Sequence, residues 1–420
     1  MRMSGEESFS VAEKILDLPK EKMQPNSIHY CHVRDGEEVL DEVLVSFFRA
    51  PHSYTAEDMV EINCHGGVYV TRRVLSLLLK KGCRPAEPGE FTRRAYLNGR
   101  IDLSVAEAAN DMINARNLLQ AKSAAKGLDG SLQRLIDPFL LQISDVLAQI
   151  EVNIDYPEYT DEKVLSEEEV APKVREWVQR LEKLSKEARR FARVKDGIAT
   201  AIVGKPNVGK SSLLNALLDR ERAIVTDIAG TTRDLIEETI DLGNISLHLI
   251  DTAGIRESTD VIEKIGIERS RQAIKEADLI LLVLDASHPL DEEDEELLKL
   301  TEGKDRLILW NKTDLQQHED GIRISAKEKD IQELLDQLQE KYEADVSLAD
   351  SDVLANERQL SLLEKAKEEL QGFLNEEEEI PIDLKSEHIR EAYEDLCEIL
   401  GKEYRESLID HLFRNFCVGK

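Results

Sequence analysis

Gly204-Lys205-Pro206-Asn207-Val208-Gly209-Lys210-Ser211 fits the pattern GxxxxGK(S/T). The apolar, β-branched run Ile198–Val203 leads into it, and a helical run, Ser211–Leu218, leaves it. A strand, a glycine-bearing loop and a helix in that order make a phosphate cradle. The backbone N–H groups of the loop and of the helix N-terminus converge on phosphate oxygens. In this reading Lys210 reaches the β- and γ-phosphates and is a catalytic group. The Ser211 hydroxyl ligates Mg²⁺. Asn207, Val208, Gly209 and Ser212 belong to the same nucleotide site.

Around the loop, from about 197 to 347, apolar strands alternate with helices. The runs Thr200–Val203, Ser246–Asp251, Leu279–Asp285 and Arg306–Trp310 read as strands. That alternation predicts a parallel sheet with helices on both faces. Three more elements follow in order. Asp251-Thr252-Ala253-Gly254 matches DxxG: Asp251 holds Mg²⁺ through water and the Gly254 N–H senses the γ-phosphate. Asn311-Lys312-Thr313-Asp314 matches NKxD. Asp314 accepts from guanine N1–H and N2–H₂, donors that adenine lacks, so GTP is selected over ATP. Ser325-Ala326-Lys327 matches the SAK element, whose backbone N–H meets guanine O6. Each element alone is weak; four in sequence, three of them at strand ends, specify a GTPase.

Between the first two elements lies Thr226-Asp227-Ile228-Ala229-Gly230-Thr231-Thr232-Arg233, read as switch I, with Thr232 as the second Mg²⁺ hydroxyl. Ras-like enzymes carry a water-orienting Gln directly after DxxG. Here Ile255 stands there and cannot polarise water. Nearby polar groups are Arg256, Glu257, Asp260 and Glu263. Positive charge at the β–γ bridge could come from a K⁺ ion held by the Asn207 side chain and switch I carbonyls.

The flanks are of two kinds. Residues 1–99 alternate short apolar runs and turns: Val39–Phe48 and Met59–Cys64 read as strands, and Gly67–Lys81 as an amphipathic helix ended by Gly82. This predicts a small α/β domain. From Asp102 the pattern is helical. Ser104 is read as an N-cap with Glu107 completing a capping box. Long helical runs cover Leu128–Ile154 and Ala171–Val194, and the chain is helical again beyond about 350. The expected organisation is 1–99 α/β, 100–196 and 348–420 helical, with 197–347 inserted as the G domain.

Composition narrows the partners. The 420 residues carry a formal net charge of −30, so nucleic-acid contact has to come from local basic patches. Arg72, Arg73, Lys80, Lys81, Arg84, Arg93, Arg94 and Arg100 form one such patch; Arg189, Arg190, Arg193 and Lys195 form another. Five cysteines without CxxC spacing argue against a disulfide framework or a zinc site and fit a reducing cytosol. No apolar run is long enough to span a bilayer, and a cytoplasmic location is expected.

These elements, with the ending Phe416-Cys417-Val418-Gly419-Lys420, resemble the MnmE (TrmE) family of tRNA-modification GTPases over almost the whole chain. Further blocks that carry the resemblance are Tyr54–Asp58, Glu61–Gly67, Glu87–Ala95 and Leu97–Arg100. The resemblance implies a tetrahydrofolate-binding N-terminal domain, a helical domain and an inserted G domain. It implies a K⁺-dependent, dimerising GTPase. With a flavoprotein of the MnmG (GidA) family, such proteins place a carboxymethylaminomethyl or aminomethyl group on C5 of the wobble uridine of certain tRNAs. The carbon comes from 5-formyl- or methylene-tetrahydrofolate. Asn207, Thr226, Ile228 and Thr231 match K⁺ positions, and Ser211 and Thr232 match Mg²⁺ ligands. Glu263 matches the water-orienting glutamate. Arg2, Glu61, Arg100 and Lys420 match folate contacts, and Cys417 matches a cysteine proposed to act in the modification. The block holding Arg2 normally follows a further strand, so an exposed sheet edge is expected there. A competing reading is a GTP-switched ribosome-assembly factor like Era or Der. Another is a nucleotide-gated scaffold whose folate pocket is vestigial.

Overall fold

The computed structural model describes residues 1–115, 117–155, 167–224, 238–250, 271–316, 321–354, 356–377 and 380–402. Two compact units emerge: Met1–Asn110 with Gly127–Ile136 and Tyr393–Lys420, and Asp111–Lys126 with Asp137–Ala392.

The first unit is built on β1 (Arg2–Ser4), α1 (Ser8–Ile15), β2 (Ser27–Asp35), β3 (Glu38–Phe48), β4 (Met59–Asn63), α2 (Val68–Lys80), α3 (Glu90–Leu97) and the start of α4 (Leu103–Asn114). The strands form one antiparallel sheet in the order β1-β4-β3-β2. Period-two alternation sends Cys31, Val33, Val43, Val45, Phe47, Val60 and Ile62 to one face. There they pack with Val11, Ala12 and Ile15 of α1 and Val74, Leu77 and Leu78 of α2. Burying each Val, Leu, Ile or Phe side chain among them contributes roughly 1.5–3 kcal/mol. Both expected strands and the expected helix are present as β3, β4 and α2. Strand β2 escapes a reading based on apolar runs, because its apolar residues are interleaved with His29, His32 and Arg34. The capping expectation at Ser104 is corrected. Asp102 caps α4, accepting from the Val105 N–H at 2.8 Å and the Ser104 hydroxyl at 2.7 Å. The carboxylate one position before the helix outcompetes the hydroxyl that lies inside it.

The second unit carries a six-stranded sheet. Its elements are α5 (Leu118–Leu128) up to Lys126, α6 (Ser131–Asp155) from Asp137, α7 (Glu167–Asp196), β5 (Ile198–Val203), α8 (Lys210–Ile224), β6 (Glu238–Asp241), β7 (Ser246–Leu249), β8 (Leu279–Asp285), α9 (Glu292–Leu300), β9 (Arg306–Asn311), β10 (Ile322–Arg323), α10 (Gln332–Val346), α11 (Glu357–Asn375) and α12 (Ile382–Ile399) up to Ala392. Strand order is β10-β9-β8-β5-β7-β6, parallel throughout except for the β6–β7 edge pair. The four strands expected from sequence are its centre. Leu279–Leu284 of β8 is buried at every position, as a strand covered on both faces must be. Beside this sheet, α7 buries Val174, Trp177, Leu181, Ala188 and Phe191 at helical spacing along α11.

The basic patches are largely neutralised within the chain. Arg189 pairs with Glu364, Arg190 with Asp345, Arg193 with Asp278 and Lys195 with Asp111. In the first unit Arg73 pairs with Glu38, and Arg84 and Arg94 with Glu90. Cys31, Cys64, Cys83 and Cys397 are free thiols. Among the described residues no helix is long and apolar enough to cross a membrane.

Candidate functional site

Strands β5, β8, β9 and β10 are parallel, so the loops that follow them gather at one edge of the sheet. The loop Gly204–Gly209 joins β5 to α8. Its shape depends on two glycines. A Cβ at Gly204 would lie 2.5 Å from the Val283 carbonyl oxygen and 2.9 Å from Val208 Cγ2. Gly209 has φ +102°, and a Cβ there would lie 2.1 Å from Asn311 Nδ2. Asn207 takes the left-handed conformation at φ 63°, a region that asparagine tolerates better than most residues.

Lys210 opens α8, and its ammonium donates to the carbonyls of Gly204 at 2.6 Å and Lys205 at 2.7 Å. Burial lowers its pKa. A half-enclosed ammonium whose described partners are carbonyl oxygens fits an incoming phosphate anion. Ser211 and Ser212 follow it in the first turn of α8.

Asn311 joins the three described loops. Its Nδ2 donates to the Val208 carbonyl at 2.7 Å, and its Oδ1 accepts from the Ala326 N–H at 3.0 Å. One buried carboxamide therefore ties the phosphate loop, the NKxD turn and the SAK turn together. Lys312, at φ 67°, turns back toward β8 and donates to Asp285 Oδ2 at 2.6 Å. Burial pushes the Asp285 carboxyl upward in pKa. Bonds from Lys312 and from the Ser287 hydroxyl and amide outweigh that and leave it lowered. Asp314 Oδ1 accepts from the Ser325 hydroxyl at 2.7 Å, which fixes the carboxylate beside the SAK turn. Lys327 continues that turn, closed by paired bonds between Ser325 and Asp330.

The first unit holds a second cluster. Arg2 on β1 donates from Nε to Glu61 Oε1 at 2.7 Å across the β1–β4 pair. Its guanidinium stands 5.2 Å from the Tyr54 ring centroid and 5.6 Å from that of Phe91. Arg100 also faces Tyr54, at 5.1 Å, and donates to the Tyr54 carbonyl at 3.0 Å. Two of the four residues predicted for folate thus face one aromatic ring, with Glu61 paired to one of them, an arrangement suited to a polar, carboxylate-bearing ligand. Behind them Glu90 accepts from Arg84, from Arg94 and from the Glu87 N–H. Burial opposes its ionisation, yet these bonds prevail and bring its pKa down to about 2.

Two regions of the chain match the descriptions "GTP-binding protein TrmE N-terminus" (residues 1–100) and "MnmE helical domain" (residues 103–417). A tRNA modification GTPase MnmE from Streptococcus pneumoniae is 46% identical over 437 aligned positions, covering 100% of this chain and 95% of the relative. A protein of the same description from Streptococcus thermophilus is 46% identical over 433 positions, with the same coverage. The chain belongs to the MnmE family. Among solved structures, Era in complex with MgGDPNP and 16S ribosomal RNA is 26% identical, covering 44% of this chain and 68% of that one, with a TM-score of 0.27.

For an MnmE family member the remaining expected site residues are these. Thr226, Asp227, Ile228, Ala229, Gly230, Thr231 and Thr232 of switch I lie outside the described residues. So do Asp251, Thr252, Ala253, Gly254, Glu263, Cys417 and Lys420. Sequence reasoning overlooked Asp285 and Tyr54 as partners of Lys312 and of the arginine pair. Asp285 ends a strand that runs parallel to the NKxD strand, and Tyr54 opens one of the family blocks. Both positions are signals that motif spacing alone does not use. Burial raises the pKa of Cys31, to about 11, and those of Cys64 and Cys83, so none of these three is a ready thiolate at neutral pH.

Proposed function

We propose that this protein is a K⁺-dependent GTPase. With a flavoprotein partner of the MnmG (GidA) family, it modifies C5 of the wobble uridine of certain tRNAs. The carbon is carried on 5-formyl- or methylene-tetrahydrofolate, and the protein acts as a cytoplasmic homodimer. The observation that carries the nucleotide half is the Asn311 link, which sets phosphate loop, base-reading turn and SAK turn in one frame.

In that frame Lys210 leaves its two carbonyls for the β- and γ-phosphates. Asp314, oriented by Ser325, accepts from the guanine edge. Ser211 and Thr232 would hold Mg²⁺, and Asn207, Thr226, Ile228 and Thr231 would hold K⁺; once bound, these cations would supply the positive charge that an arginine finger supplies in other GTPases. Glu263 orients the attacking water, a task Ile255 cannot perform. Arg2, Glu61, Arg100 and Lys420 hold the folate, with Tyr54 as a stacking surface, and Cys417 acts in the modification. Residues 1–99 form the folate-binding domain, and residues 197–347 form the G domain inserted between helical segments 100–196 and 348–420.

The test has two readouts. GTP turnover should be at least tenfold faster in K⁺ than in Na⁺ at equal ionic strength; equal rates would remove the cation from the mechanism. Mass analysis of wobble nucleosides from cells lacking the protein should show loss of the C5 substituent. An unchanged nucleoside profile would reject the tRNA reading while leaving the GTPase intact.

A further inference from the structure

The phosphate loop is tethered at a point that the nucleotide motifs leave unassigned. Lys205, the second residue of the loop, directs its side chain to the N-terminus of α9. Its Nζ lies 2.5 Å from Asp291 Oδ2 and 2.7 Å from Asp294 Oδ2. Those two aspartates are the capping box of α9. Asp291 Oδ1 accepts from the Glu293 and Asp294 N–H groups, and Asp294 Oδ2 accepts from the Asp291 N–H. Asp294 is nearly enclosed, with 5% of its side chain exposed, and its Oδ1 has no hydrogen-bond partner among the described residues. A carboxylate so placed depends on a counter-charge, which among the described residues Lys205 supplies, because burial without one is costly.

The backbone of Lys205 makes a second contact. Its carbonyl, with that of Gly204, holds the Lys210 ammonium. One residue thus joins the capping box of α9, through its side chain, to the phosphate-contacting lysine, through its main chain. Gly204 just before it is pressed against the Val283 carbonyl, so the first peptides of the loop are held from both sides.

The geometry points to Lys205 as a positioning residue for nucleotide binding: anchored in the α9 capping box, it fixes the carbonyls that hold Lys210 ready for phosphate. It does not touch the reacting atoms. Its loss leaves the loop to be ordered by the nucleotide itself, which weakens binding of GTP and GDP alike and leaves the chemical step largely intact. This inference rests on the GTPase reading above.

The test uses the full chain and three variants: Lys205→Met, Lys205→Arg, and Lys205→Met combined with Asp294→Asn. Lys205→Met should raise the KM for GTP and the Kd for GDP about five- to tenfold, with kcat changed less than twofold. Lys205→Arg, which keeps the charge and the reach, should return both constants to within twofold of the parent. The double variant separates positioning from simple stability. Removing the Asp294 charge should recover the thermal midpoint lost in Lys205→Met, while the KM stays raised. A KM that recovers together with the midpoint overturns the proposal, as does a folded Lys205→Met variant with parental nucleotide constants. Parent protein that binds neither GTP nor GDP would instead refute the GTPase reading itself.

Discussion

The two sheets of this molecule place chemistry in different ways. In the six-stranded sheet the motif residues sit in loops beyond the ends of parallel strands, and the shape of the phosphate loop depends on its main chain. Gly204, Gly209 and Asn207 are there for their backbone geometry. In the four-stranded antiparallel sheet the groups are side chains that lie across strands and an adjoining turn. Arg2, Glu61, Arg100 and Tyr54 are brought together by register and packing. A backbone site is written in a short contiguous motif. A side-chain site is scattered through nearly a hundred residues and has no local grammar.

The hardest way to break this contrast is Gly209→Ala. An added methyl would meet Asn311 Nδ2 at 2.1 Å, at a φ of +102° that alanine resists. It therefore attacks the loop and the link to the base-reading turn together. GTP affinity should fall more than about 100-fold, by at least ~3 kcal/mol. Isothermal titration would read it, and folate binding should be unaffected. Near-parental GTP affinity would show that the loop is not specified by its backbone.

An intermediate effect probes the other sheet, where charge rather than backbone holds the cluster. Glu90 is nearly buried, and its pKa is brought from 4.5 to about 2 by Arg84, the Glu87 N–H and Arg94 acting against burial. A lowered carboxyl pKa stabilises the fold above pH 4.5, and the gain is lost as pH falls toward 2. Glu90→Gln should therefore destabilise the protein at pH 7 by on the order of 3 kcal/mol. The difference from the parent should shrink below pH 4.5 and vanish near pH 2. Chemical denaturation followed at several pH values checks the sign. A gap that widens on acidification would contradict the assignment.

The smallest expected effect is that of Arg100→Ala. It removes one cation from the Tyr54 face and leaves Arg2 in place. Affinity for a tetrahydrofolate should fall about tenfold, ~1.4 kcal/mol, with GTP turnover unchanged. Loss of turnover without loss of folate affinity would place Arg100 in the wrong site.

Legibility in the sequence followed the same division. The four central strands of the large sheet, the phosphate loop and the NKxD and SAK turns were readable because each is one unbroken stretch with fixed period or spacing. Edge strands β6 and β10 were not: they hold four and two residues, too few for a period to declare itself. The N-cap at α4 went to Asp102 rather than Ser104 because two nearby cap formers compete, and a two-residue shift decides which side chain reaches the free amides. The basic patches looked like contact surfaces in sequence, yet Arg189, Arg190, Arg193 and Lys195 each met a carboxylate distant in the chain.

By itself, then, the order of residues determined that this chain folds a P-loop α/β sheet with the NKxD and SAK turns at strand ends. Those properties depend on spacing within a dozen residues, which the covalent chain enforces directly. Only the tertiary structure decided that Asn311 joins three loops, that Lys205 reaches the cap of α9, and that Arg2, held by Glu61, and Arg100 meet at Tyr54. Those partners lie from 15 to 103 residues apart, and which polar groups meet at such range is settled by strand order and burial.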